Sequence, residues 1–213
     1  MDNFKEKTLE EFLHRRISAI IRSDDKEVAA QAMEAAIAGG FRIVEFTLTT
    51  PGALELISIF SARGDGTVVG AGTVMTPQDA ENSVKSGARF LVSPVCDPRV
   101  IGRAQELDVV TIPGTFTATE MATAHGLGAD LVKLFPAPAN LSEYIRFLLG
   151  PMPYLKIFPT SGVNINNMMD VLQAGAAGVG FVRSLFLPED LASRNFTAIE
   201  ERATAIVHLV ESS

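Results

Sequence analysis

Short apolar runs alternate with amphipathic, helix-like segments along the whole chain. Eight runs rich in β-branched and aromatic residues begin about 20 to 26 residues apart, which is typical of buried strands. They span residues 17–22, 42–49, 68–74, 90–94, 109–113, 131–136, 155–161 and 178–184. Most of the intervening segments open on a Ser, Thr, Asp or Asn suited to capping a helix and end near a glycine.

Alternation of strands and helices predicts a parallel sheet with right-handed crossovers. Eight such units without a linker predict an α/β protein with one domain over residues 1–213, a closed (β/α)8 TIM barrel. An open, doubly wound sheet is the alternative. A further helix near residues 7–15 precedes the first strand, where it is placed to close the bottom of the barrel. The segment after Leu187 is predicted to form the last helix.

Two charged residues fall within the predicted strands on positions that face the barrel interior. Side chains alternate between the two faces of a strand, so Glu45 shares the inner face with Thr47 and Thr49. The sixth run, Leu131-Val132-Lys133-Leu134-Phe135, places Lys133 at the centre of a buried strand. Lysine is rarely buried without a partner, so this position calls for an explanation.

A lysine in an apolar barrel loses hydration, which lowers its pKa and leaves a nucleophilic amine. Such an amine attacks a ketone and forms a Schiff base, whose protonated imine accepts electrons from a breaking C–C bond. Glu45, in similar surroundings, is expected to have a raised pKa and to act as general acid and base. The alternatives are a purely structural ion pair between Lys133 and Glu45, and Lys156 as the nucleophile. Lys156 begins the seventh strand and is expected to reach solvent.

The net charge of −7 argues against nucleic acid or an anionic membrane as the main partner, whereas an anionic small molecule remains compatible. The single cysteine, Cys96, excludes an internal disulfide and fits a reducing cytoplasm. No signal peptide or membrane-spanning run is present in the sequence. Its three histidines lack metal-ligand spacing, so a metal site is not expected.

Six motifs occur in order between SAIIR and the last strand. They are IVEFTLTTPGALELI, VVGAGTVMTP, LVSPVCDP, TIPGTFTATE, VKLFPA and FPTSGV. In this order and spacing the chain resembles the 2-keto-3-deoxy-6-phosphogluconate (KDPG) and 4-hydroxy-2-oxoglutarate (KHG) aldolases, class I lyases of the Entner–Doudoroff type. The resemblance implies a cofactor-free homotrimer that reversibly cleaves such a keto acid to pyruvate and an aldehyde.

The same resemblance implies roles for individual residues. Lys133 forms the Schiff base with pyruvate or the keto acid, Glu45 shuttles protons through a water, and Thr73 holds the pyruvyl carboxylate. The walls of the pocket are formed by Pro94 and Phe135. The site for a distal phosphate or other anion comprises Thr160, Ser161, Gly162 and Ser184.

The departures from the family pattern concern its anion-binding positions. Thr49 stands where the family commonly has a carboxylate-binding arginine, and Arg22, at the end of strand one, is a candidate replacement. Ser161 lies in PTSG, where PTGG is common. Arg183 precedes Ser184, at a position where many members have glycine. Its side chain either adds a ligand for an anion or points outward, and both possibilities stay open.

The expected function is therefore a class I aldolase. Two other classes stay open at this point. A sugar-phosphate isomerase on the same barrel would use Glu45 as a base and form no imine. A non-catalytic barrel that binds anionic metabolites is supported only by the missing arginine at position 49.

Overall fold

A computed structural model describes residues 4–212. Within that range there are nine strands and ten helices. The strands are β1 (Ile17–Ile21), β2 (Ile43–Thr47), β3 (Val68–Gly72), β4 (Phe90–Val92), β5 (Val110–Ile112), β6 (Gly114–Thr115), β7 (Val132–Leu134), β8 (Ile157–Pro159) and β9 (Val179–Phe181). The helices are α1 (Phe4–Arg15), α2 (Lys26–Ala38), α3 (Ala53–Ser61), α4 (Pro77–Lys85), α5 (Pro98–Glu106), α6 (Ala118–Gly126), α7 (Leu141–Leu149), α8 (Met168–Gln173), α9 (Pro188–Ser193) and α10 (Phe196–Glu211).

The strands close into a parallel barrel. Six of them lie in the order β5-β4-β3-β2-β1-β9 and three in the order β6-β7-β8. A parallel bridge between Thr160 and Gly180 joins the end of β8 to β9. Pro113 separates β5 from β6 because proline has no N–H to donate, and the two short strands together occupy one barrel position. The predicted (β/α)8 barrel is confirmed, and the open-sheet alternative is wrong.

Helix α1 closes the bottom of the barrel, as predicted. Its Phe12 is almost fully buried and packs edge-to-face on Phe90 and Phe158, with ring centroids 4.8 and 5.5 Å apart. Gly70 makes room for this aromatic plug, because a Cβ there would lie 2.4 Å from the ring of Phe90. The opposite end of the barrel, at the carboxyl ends of the strands, stays open for a site.

Several predicted helix starts are capped by the expected side chains. Thr76 and Thr117 each form a capping box, with Asp79 and Glu120 respectively. The segment after Leu187 differs from the single helix that was predicted, since it forms α9 and α10. The break lies at Arg194, whose left-handed backbone (φ 54°) ends α9. None of the helices in residues 4–212 combines the length and apolar character needed to cross a bilayer.

Candidate active site

A cavity of about 710 Å³ opens at the carboxyl ends of the barrel strands. Every site residue predicted from the sequence lines it, with the exception of Thr49. These residues are Arg22, Glu45, Thr47, Thr73, Pro94, Lys133, Phe135, Thr160, Ser161, Gly162, Arg183 and Ser184. Loops that follow different strands therefore bring distant parts of the chain together, as the closed barrel requires.

Lys133 lies at the centre of β7 and is half-buried. Its backbone N–H donates to the carbonyl of Pro113 over 2.9 Å, which fixes the residue between β6 and β8. Burial lowers the pKa of its ammonium; the carboxylate of Glu45 opposes this shift, and the guanidinium of Arg22 adds to it. The amine Nζ lies 5.2 Å from the ring centroid of Phe135. The site thus favours the nucleophilic, neutral form of Lys133.

Glu45 lies on β2 with 2% of its surface exposed. Burial raises the pKa of its carboxyl, while Lys133 and Arg22 partly oppose the shift. Within residues 4–212, its Oε1 has no hydrogen-bond partner and no ion pair joins it to Lys133. The contact expected for a purely structural ion pair is therefore missing. A carboxyl with a raised pKa beside an amine with a lowered pKa is suited to proton transfer.

Gly72 on β3 allows Glu45 to adopt this position. A Cβ at residue 72 would lie 1.8 Å from Oε1 and 2.7 Å from Cδ of Glu45. Position 72 therefore requires glycine, because β2 and β3 approach each other closely where Thr47 pairs with Gly72.

Arg22 and Thr73 meet at the rim of the cavity. The Arg22 Nη2 donates to the Thr73 Oγ1 over 3.2 Å. Thr73 has a left-handed backbone (φ 61°), which is unusual for a β-branched residue and indicates that the surrounding loop imposes it. A cationic donor and a hydroxyl are thus placed together, as carboxylate binding requires.

Thr49 lies outside this cavity. Strand β2 ends at Thr47, and the chain then turns, with the N–H of Thr50 donating to the carbonyl of Thr47 over 2.9 Å. The exposed Thr49 shares a 3.1 Å hydrogen bond with the hydroxyl of Thr47 and lines a separate surface groove that also includes Asp79. The prediction that Thr49 faces the barrel interior is therefore wrong, because side-chain alternation stops where the strand stops.

The loop after β8 combines two successive left-handed residues, Ser161 (φ 69°) and Gly162 (φ 68°). Asn167 braces it: its side-chain amide donates to the Gly162 carbonyl over 2.8 Å, and its Oδ1 accepts from the N–H of Asn164. A left-handed φ suits glycine better than serine, so the PTSG motif carries backbone strain at Ser161. The Ser161 hydroxyl accepts from the N–H of Ala137 over 3.3 Å, which links this loop to the one after β7.

Comparison with known proteins identifies the family. The sequence matches the family of KDPG and KHG aldolases over residues 9–202. This chain belongs to that family. It is therefore an aldolase, a class of lyase, as the motifs predicted.

The relatives of this aldolase cover most of its length. It is 34% identical to the 2-dehydro-3-deoxy-6-phosphogalactonate aldolase of Escherichia coli over 170 residues, which is 79% of this chain and 83% of the relative. A 2-dehydro-3-deoxy-phosphogluconate aldolase of Pseudomonas aeruginosa is 34% identical over 162 residues, covering 74% and 72% of the two chains. The structure of KDPG aldolase from Legionella pneumophila, with pyruvate captured as a covalent carbinolamine, superposes with a TM-score of 0.83 at 29% identity, covering 93% and 97%.

Several lining residues of the aldolase cavity were not predicted. They are Ile20, Ser23, Asp24, Val163, Asn164, Val182 and Phe186. Each lies within a few residues of a predicted site residue at a strand end, and this proximity is the feature of the sequence by which they could have been predicted. The rival nucleophile, Lys156, is exposed and lies outside the cavity.

Within residues 4–212, the other reactive side chains of the aldolase do not form a competing site. The half-buried thiol of Cys96 has a raised pKa because of burial and the nearby carboxylates of Glu120 and Asp97, so it is a poor nucleophile. Between Phe4 and Ser212, no group of three or more His, Cys, Asp or Glu side chains is placed to hold a metal ion.

Proposed function

We propose that this aldolase cleaves a 4-hydroxy-2-keto acid to pyruvate and an aldehyde through an imine on Lys133. One observation carries the proposal. A lysine with a lowered pKa shares a cavity with Glu45, whose pKa is raised, and no ion pair neutralises the two within the described residues. This arrangement provides a nucleophile and a proton-transfer group for imine chemistry.

The chemistry follows from these two groups. The neutral amine of Lys133 attacks the C2 ketone, and the resulting carbinolamine loses water to give a protonated imine. The C4 hydroxyl then loses its proton, the C3–C4 electron pair moves into the imine, and the aldehyde departs. Protonation of the enamine at C3 and hydrolysis release pyruvate. Glu45 is proposed to accept and return these protons.

The remaining residues of the cavity are proposed to orient the substrate. Arg22 and Thr73 hold the C1 carboxylate, since they meet as donors at one rim. Pro94 and Phe135 shape the wall beside Lys133. The loops after β8 and β9, where a distal phosphate or carboxylate would lie, contribute Thr160, Ser161, Gly162 and Ser184 to the cavity. The relatives' names, with their phosphorylated sugar acids, support a substrate of this class.

Residues 1–213 are proposed to form a single aldolase domain that assembles as a homotrimer in the cytoplasm. A structural relative with a TM-score of 0.82 and 32% identity is a protein cage designed by fusing symmetric oligomeric domains; the match covers 90% of this chain and 70% of that one. This supports self-association. A cytoplasmic location suits substrates whose charged groups do not cross a bilayer unaided.

Trapping with borohydride tests the imine. Incubation with pyruvate and borohydride, followed by peptide mapping, is expected to place a reduced adduct on Lys133. The adduct should disappear in Lys133→Met and persist in the control Lys156→Met. An unmodified, folded wild-type protein would overturn the proposal and favour an isomerase that uses Glu45 without an imine. The match to aldolases over most of the chain speaks against the non-catalytic alternative.

A further inference from the structure

A second cavity of about 490 Å³ adjoins the active-site cavity, and its size is that of a small-molecule site. The two cavities share the wall formed by Arg22, Ser23, Asp24, Arg183 and Phe186. The far wall comes from the start of α2 and from α9. A substrate bound at Lys133 can therefore extend past Arg183 into further space.

The charged side chains that line this second cavity differ in whether they already have a partner. Arg194 pairs with Asp25 at 3.5 Å, and the Asp25 carboxylate also accepts from two backbone N–H groups at the start of α2. Arg22 donates to Thr73. Arg183, in contrast, forms no hydrogen bond or ion pair with any residue in the range 4–212, although it borders both cavities. Its planar set of N–H donors is free to bind a ligand.

The hydroxyl groups at the expected anion site carry no charge, and one of them is already engaged as a donor. The Ser184 Oγ donates to the carbonyl of Val163 over 2.6 Å, which uses its only proton. The Ser161 Oγ accepts from the N–H of Ala137 and keeps its own proton, and the Thr160 Oγ1 has no hydrogen-bond partner within residues 4–212. Arg183, adjacent to Ser184, is therefore the side chain at this rim that adds a positive charge for an anion.

We infer that Arg183 is a specificity-determining residue that binds the terminal anionic group of the aldehyde portion, where the two cavities meet. The inference rests on the proposed function and names the anion's partner. A guanidinium binds phosphate or carboxylate with two parallel hydrogen bonds, so both chemistries fit. The carboxylate of Asp24 lies on the same shared wall and opposes anion binding.

The test compares aldol addition of pyruvate to three acceptors: glyceraldehyde 3-phosphate, succinic semialdehyde and neutral glyceraldehyde. Arg183→Gln is expected to lower kcat/KM for the anionic acceptors by about 10- to 100-fold. Turnover of glyceraldehyde and borohydride trapping of pyruvate should stay unchanged. The anionic acceptor with the larger loss identifies the group, phosphate or carboxylate, that Arg183 binds.

Two further variants sharpen the test. Asp24→Asn should raise kcat/KM for the anionic acceptors, the opposite sign to Arg183→Gln. The exposed Arg146 on α7 lies outside both cavities, so Arg146→Gln, with the same charge change, should leave all three acceptors unaffected. An equal loss for all three acceptors in Arg183→Gln, or no loss for any, would overturn the inference.

Failure of the proposed function gives a different result. If pyruvate yields no adduct on the wild-type protein, calorimetric titration with inorganic phosphate still tests Arg183. Weaker phosphate binding by Arg183→Gln than by the wild type would uphold the anion site without imine chemistry. Equal binding by the two proteins would reject it.

Discussion

The guanidinium of Arg22 donates a hydrogen bond to the hydroxyl of Thr73, with 3.2 Å between Nη2 and Oγ1. The bond joins the ends of β1 and β3, which flank β2 and its Glu45 in the barrel order. The positive charge of Arg22 acts on both proposed catalytic groups, since it lowers the pKa of Lys133 and opposes the rise in the pKa of Glu45. Arg22 is thus placed to bind a carboxylate and to favour the neutral amine.

Replacement of Arg22 by glutamine is expected to raise the pyruvate concentration needed for half-maximal trapping by about 10- to 100-fold, because a charge-assisted contact to the carboxylate is lost. Trapping near neutral pH should also slow, since the pKa of Lys133 rises. The measurement is the trapping rate against pyruvate concentration. Thr49→Val is the control and should behave as wild type, because Thr49 lies outside the cavity. Similar defects in both variants would contradict the assignment of Arg22.

Replacement of Glu45 by glutamine is expected to separate imine formation from proton transfer. Turnover should fall by about 10²- to 10⁴-fold because a general acid and base is lost, while pyruvate still forms an adduct on Lys133. The Glu45 carboxylate raises the pKa of Lys133, so its removal should lower that pKa further. In a plot of the trapping rate against pH, the acid limb should then move to lower pH. A move to higher pH would contradict the electrostatic coupling.

Replacement of Gly72 by alanine is expected to mimic loss of Glu45 without unfolding the barrel. The new methyl group would lie 1.8 Å from Oε1, and a side chain yields more easily than the backbone. Turnover should fall while the circular dichroism spectrum stays unchanged. Gly102→Ala on α5 is the matched control, because outside its own turn of helix no atom lies within 4 Å of the new methyl group, and alanine favours the helix. Full activity in Gly72→Ala would show that Glu45 does not need its observed position.

The sequence predicted most of the site because side-chain alternation and strand ends are local properties. Glu45 and Lys133 follow from the period of two within β2 and β7, and the other residues follow from the loops at the open end of the barrel. The prediction for Thr49 was wrong because the end of a strand depends on strand pairing and on turn hydrogen bonds, and the alternation of hydrophobic residues does not encode either of them.

Features formed by distant segments were not predictable in the same way. The second cavity arises where α9 and the start of α2 meet the loop after β9, and no local pattern marks that junction. The brace from Asn167 to Gly162 likewise depends on how the loop folds back on α8.

Lys133 is expected to reduce stability, because its amine has a lowered pKa in the folded protein. Below the folded pKa, both folded and unfolded states carry the charge, and the full cost of desolvating it opposes folding. As pH rises through the folded pKa towards the ordinary lysine value of 10.5, the cost declines, and above 10.5 it is absent. Stability attributable to this residue should therefore increase with pH.

Lys133→Met should accordingly raise Tm at neutral pH. In a chain of this size, each kcal/mol added to the free energy of unfolding raises Tm by about 2 to 4 °C. The gain should shrink as pH approaches 10.5. Removal of the lysine also takes a cationic neighbour from Glu45, which raises the pKa of that carboxyl further, so the gain should be larger in a Glu45→Gln background. Lys156→Met, at an exposed position, is the control and should leave Tm unchanged. If Lys133→Met in the Glu45→Gln background gave a neutral-pH Tm below that of Glu45→Gln alone, the protein would tolerate the Lys133 charge without cost, contrary to the basis of the imine proposal.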